Sequence, residues 1–178
     1  MLEDNLAKVK KNIENACRKA GRDPEEVTLV AVSKMKPLED IEVLRRIGQM
    51  EFGENYVQEL CEKEEHVSAP VHWHMIGHLQ TNKVKYILDK VVLIHSVDSV
   101  HLAKQIEKEA AKRNLTAQIL LQVNVAEEDT KFGMDTDEVI KMAEEISHFP
   151  HVHIRGLMTS APFVDDPEEN RCYFRELH

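Results

Sequence analysis

Short apolar runs and amphipathic stretches alternate along the chain. Val27–Ser33, Met50–Phe52, His72–Ile76, Val91–Val97, Gln118–Val125 and His153–Met158 are rich in apolar and β-branched residues, which predicts strands buried on both faces. Between them, Leu38–Ile47, Asn55–Glu65, Thr81–Asp89, Ser99–Arg113 and Thr136–Ser147 carry apolar residues at three- and four-residue spacing, which predicts helices. In the last two, the expected buried faces are Val100, Ala103, Ile106 and Ala110, then Val139, Ile140, Ala143 and Ile146. Ahead of the first strand, Leu6, Val9, Ile13, Cys17 and Ala20 form one stripe, with Gly21 where a helix would stop.

Repeated strand–helix units imply a parallel sheet covered by helices, either an open doubly wound sheet or a closed barrel. The pattern does not choose between the two. At 178 residues the chain suits one domain over 1–178 rather than two. Its 23 Lys+Arg against 32 Asp+Glu give a net charge of −9, which argues against nucleic acid or an anionic membrane as partner. Cys17, Cys61 and Cys172 show no close pairing, so a reducing, cytoplasmic setting is expected. The N-terminus lacks the apolar core of a secretory signal, and the run Val91–Ile94 is far too short to cross a bilayer.

Ligands of parallel α/β folds sit at the carboxyl ends of the strands. Those ends read SKMKP, FGENY, MIGHLQTNK, SVDS, NVAEEDTKFGM and GLMTSAP, mostly polar or glycine-bearing. Lys34 comes directly off the first strand, and an amine held in a partly desolvated pocket suits Schiff-base formation with an aldehyde. The competing reading of Lys34 is a snorkelling surface lysine. Lys36 is a weaker candidate, since it lies further out and precedes Pro37 in what reads as a solvent-facing loop. A rival chemistry is a metal site on His72 and His74, which share one side of a strand, with His78 just beyond and His148, His151 and His153 near another strand. No phosphate-cradling glycine loop and no GxSxG elbow occurs, and the runs Glu127–Asp129 and Asp165–Glu169 read as solvated loop charges.

Taken together, AVSKMKP (31–37), FGENYVQE (52–59), HWHMIGHLQTNK (72–83), HSVDS (95–99), QVNVAEEDTKFGM (122–134) and RGLMTSAP (155–162) strongly resemble the pyridoxal phosphate homeostasis protein family. The resemblance implies a (β/α)8 TIM barrel of the alanine racemase N-terminal type, preceded by a helix, with about six of the eight βα units in this chain. It implies that Lys34 holds pyridoxal 5′-phosphate as a Schiff base, with Asn55, His78, Asn82, Met158 and Ser160 around the cofactor rim. The family continues for roughly another quarter of the barrel, where its main phosphate contacts lie. The expected domain is therefore C-terminally incomplete, a monomer when whole and open to association when truncated.

The expected role is non-catalytic, in intracellular homeostasis of the cofactor, with enzymes that require it as partners. One alternative is a pyridoxal-phosphate-dependent amino-acid racemase or lyase. Another, lower alternative is a metal-dependent barrel hydrolase using His72 and His74.

Overall fold

A computed structural model describes residues 1–125, 133 and 136–178. The chain opens with α1 (Leu2–Ala20), in which Leu6 and Cys17 are buried and Val9 and Ala20 are exposed. Gly21 closes it in the left-handed region, at φ 64°, where a residue without Cβ is least strained.

The described residues then form β1 (Ala31–Val32), α2 (Leu38–Arg46), β2 (Glu51–Glu54), α3 (Val57–His66), β3 (His72–Met75) and β4 (Val91–Val97). They continue through α4 (Val100–Arg113), β5 (Ala117–Gln122), α5 (Thr136–Ser147), β6 (Val152–Met158) and α6 (Arg171–Leu177). The six strands are all parallel, and their order in the sheet is their order in the chain. A doubly wound sheet reverses its strand order at a switch point; this sheet does not, which is the winding of an α/β barrel.

Sheet and helices meet in one core. Phe52, Trp73, Met75, Ile94, Ile119 and Leu121 of the strands are buried with Ile41, Leu60, Leu102, Ile106 and Ile146 of the helices. Burial of each such side chain is worth about 1.5–3 kcal/mol.

Three sequence expectations are corrected. The strand expected over Val27–Ser33 pairs only at Ala31 and Val32, opposite Phe52 and Gly53. It has a neighbour on one side among the described residues, and ahead of the pairing the buried Gln49 amide donates to Leu29 O and Glu51 O, both at 2.7 Å, in place of a ladder. The helix expected over Thr81–Asp89 is a tighter 3₁₀ helix, Thr81–Tyr86. Ile140 is 74% exposed, not buried, because the inward stripe of α5 runs through Val139, Met142, Ala143 and Ile146, and Ile140 is one step around from it. The Glu127–Asp129 run lies outside the described residues.

Candidate functional site

Because every strand is parallel, all carboxyl ends lie on one rim of the sheet. At the end of β1 the Ser33 amide donates to Gly53 O at 3.0 Å, extending the contact with β2 by one residue. The chain then turns. Lys36 N–H returns to Ser33 O at 3.0 Å, leaving Lys34 and Met35 as the two central residues, with Met35 in the left-handed region at φ 58°. Gly or Asn normally fills that place. Lys34 is exposed at the tip of this turn. Lys36 is separated from it by the turn and lines a hollow of about 370 Å³ with Pro37, Leu38, Glu59, Glu62, Lys63 and His66.

Beneath the turn lies a buried polar network that motif reading did not single out. Glu54, the last residue of β2, is fully buried, and its Oε1 accepts from the Ser33 hydroxyl at 2.6 Å and from Lys63 Nζ at 2.8 Å. Lys63 Nζ also donates to Ser33 O and to Glu59 Oε1, each at 2.7 Å. Glu59 Oε1 in turn accepts from the Met35 amide at 2.6 Å. In sequence, Glu59 and Lys63 look like ordinary helix surface charges. Their spacing of four residues, one turn of helix, was the available signal.

The other expected rim residues follow the remaining strand ends. Asn55 comes directly after β2 and is half-buried. The backbone of Gly77, beyond β3, lies against it so closely that a Cβ on Gly77 would stand 2.4 Å from Asn55 O. Next to Gly77, His78 Nδ1 lies 3.2 Å from Asp98 Oδ2, which ties the loop after β3 to the loop after β4. Asn82 is exposed in the first turn of the 3₁₀ helix. Met158 ends β6 in register with Gln122, and its carbonyl accepts from the Val123 amide at 2.8 Å. Ser160 is exposed just beyond, and its neighbour Thr159 donates from Oγ1 to Val123 O at 2.9 Å. Asp98, Glu54, Glu59 and Lys63 are the additions that the structure makes to this list.

His72 and His74 occupy different surroundings. Both engage the carboxylate of Glu51, the first residue of β2, with His72 Nδ1 2.5 Å from Oε1 and His74 Nε2 2.7 Å from Oε2. His74 Nδ1 also meets His95 Nε2 at 2.8 Å. Burial, followed by the charge of His74, pushes His95 down to about 4. This cluster begins at the amino-terminal end of the sheet, away from Lys34, beside a hollow of about 490 Å³ lined in part by Lys10, Gln49, Glu51 and His72. Among the described residues, no group of three or more His, Cys, Asp or Glu is arranged to hold a metal ion.

The geometry can be set beside known proteins. A family model described as the alanine racemase N-terminal domain matches residues 5–178. A pyridoxal phosphate homeostasis protein of Aquifex aeolicus (strain VF5) is 42% identical over 175 residues, covering 98% of this chain and 77% of that protein. The chain belongs to the pyridoxal phosphate homeostasis protein family.

Solved structures agree with that membership. The crystal structure of an unknown protein from Bifidobacterium adolescentis superimposes with a TM-score of 0.91 at 32% identity, covering 99% of this chain and 76% of that one. PipY of Synechococcus elongatus PCC7942, solved with PLP bound, superimposes with a TM-score of 0.76 at 31% identity, covering 93% of this chain and 81% of that one. The fold is thus the alanine racemase N-terminal fold, with six parallel strands of its barrel described here.

Proposed function

We propose that this protein holds pyridoxal 5′-phosphate as a Schiff base on Lys34, within one binding unit over residues 1–178, and serves to keep that cofactor available inside the cell. The observation that carries the reading is the place of Lys34 at the carboxyl end of β1, on the rim where parallel α/β folds bind their ligands; its amine is exposed at the tip of a turn rather than set in the partly desolvated pocket expected from the sequence. Support comes from PipY, solved with PLP bound, and from the name of the Aquifex relative.

When bound, the cofactor would supply an aldehyde carbon with which a primary amine condenses, releasing water. Lys34 provides that amine. Asn55, His78, Asn82 and Ser160 carry hydrogen-bonding groups that suit the ring hydroxyl and phosphate oxygens, and Met158 offers an apolar side for the ring. Cofactor-requiring apoenzymes are the partners we propose, and the cytoplasm the compartment. Among the described residues, no helix is long and apolar enough to cross a membrane.

The test is borohydride reduction of the cofactor-treated protein, followed by intact mass and peptide mapping. One pyridoxyl phosphate group on Lys34, lost in Lys34→Ala with an unchanged circular dichroism spectrum, is the expected result. A full adduct in Lys34→Ala overturns the assignment.

One observation favours a second reading. The imidazole of His78 and the carboxylate of Asp98, 3.2 Å apart on the same rim, are groups of the kind that a pyridoxal-phosphate-dependent racemase or lyase would use as acid and base. Incubation of the loaded protein with D- and L-amino acids separates the two: no interconversion or cleavage is expected, and steady turnover would establish an enzyme.

A further inference from the structure

We propose that Glu59 and Lys63 of α3 are positioning residues that grip the backbone on both sides of Lys34 and so set the direction of its amine. This rests on the reading of Lys34 as the cofactor-linking residue.

The grip is two-sided. The carbonyl immediately before Lys34, that of Ser33, accepts from Lys63 Nζ at 2.7 Å. The amide immediately after it, that of Met35, donates to Glu59 Oε1 at 2.6 Å. Lys63 Nζ and Glu59 Oε1 are themselves 2.7 Å apart, so one ion pair holds both backbone groups that flank the lysine.

The turn needs holding. Met35 adopts the left-handed conformation at φ 58°, which a residue with a Cβ disfavours and which persists where the surroundings over-determine it. Without its amide partner, the turn loses one of the bonds that keep it there.

The grip is also anchored at its far end. Lys63 is 7% exposed and directs its ammonium to three acceptors, Ser33 O, Glu54 Oε1 and Glu59 Oε1. An ammonium has three protons to give, so Lys63 has none left for a ligand and acts inside the protein. Glu54 is fully buried, and its carbonyl receives the Ile76 amide at 2.9 Å, which ties the grip to the end of β3 as well. A purely architectural ion pair would need only to join α3 to β2. This one spends two of its bonds on the turn that presents the amine, and small displacements of a reacting group cost rate.

Stopped-flow absorbance on mixing with pyridoxal phosphate separates the half-saturating concentration from the limiting rate of the covalent step. Glu59 is partly exposed, so Glu59→Ala should fold. We expect it to lower the limiting rate about tenfold while half-saturation moves less than about twofold. Glu59→Gln keeps an acceptor for the Met35 amide and should recover most of the rate. Lys63→Met should act in the same direction, and Lys63→Arg should restore part of the loss.

Hydrogen exchange at the Met35 amide reads the grip with no cofactor present: protected in the native protein, freed in Glu59→Ala. An unchanged limiting rate in Glu59→Ala, or Glu59→Gln no better than Ala, overturns the positioning role even where the melting temperature falls. Unchanged Met35 exchange also overturns it. A native adduct on a lysine other than Lys34 overturns the underlying reading and this inference together, whereas a native adduct on Lys34 with an unchanged rate in Glu59→Ala overturns the inference alone.

Discussion

Met35 and Gly77 show how backbone geometry at single positions shapes the rim. Met35 sits at φ 58°, where an L-residue is strained by about 1–2 kcal/mol. Glycine there would relieve the strain but add about 0.5–1 kcal/mol of chain entropy to the unfolded state. Met35→Gly is therefore expected to stabilise the protein by about 0.5 kcal/mol in urea unfolding. Gly77 is the opposite case. A Cβ there would lie 2.4 Å from Asn55 O and 2.6 Å from Asn55 Cα, and backbone cannot move aside as a side-chain tip can. Gly77→Ala should cost about 2 kcal/mol or more by the same measurement, and unchanged stability would mean that the two loops are not held in contact. The place of Lys34 at the end of β1 was legible in the sequence because it follows an apolar run within a recognisable segment. Glu59 and Lys63 were not, since charges on a helix read as solvated and their partners Ser33, Glu54 and Met35 come from other elements.

At the scale of elements, α3 does two jobs. Leu60 is fully buried in the core, while Glu59 and Lys63, one residue before and three after, reach the turn. Packing of the apolar face thus fixes where the polar clamp stands. Leu60→Ala should lose about 2–5 kcal/mol of stability in denaturant unfolding, with a loss of Met35 amide protection that is absent from truncations of similar cost in α5. Helical periodicity identified α3, α4 and α5 because the spacing of apolar residues is a local property. The extent of β1 is not local: only Ala31 and Val32 pair, because a strand's length depends on its neighbours. The 3₁₀ form of Thr81–Tyr86 was missed for a related reason, since a six-residue stretch leaves little room to tell one helical period from another.

The whole molecule orders its strands as the chain does, and the hydrophobic pattern alone could not show this, because a barrel and a doubly wound sheet use the same strand–helix units. The resemblance of six separated segments supplied what periodicity lacked. Global stability should also carry a pH signature from His95. Its folded value is lowered from 6.5 to about 4, so between those limits the unfolded chain binds a proton that the folded protein does not. Stability should therefore fall as pH drops from about 6.5 to about 4, and the part due to His95 should level off below that. His95→Gln should flatten this stretch of the stability–pH curve; an unchanged slope would show that His95 titrates normally.

The single tryptophan gives these transitions an optical readout. Trp73 is 2% exposed, packs against Phe52 with ring centroids 6.0 Å apart, and precedes by a few residues the loop that carries Gly77 and His78. Its emission should therefore be blue-shifted in the folded protein and move to the red on unfolding. A chromophore settling on the rim above β2 and β3 would quench it by energy transfer, so unfolding and cofactor capture can be told apart in one fluorescence experiment, the first by colour and the second by intensity.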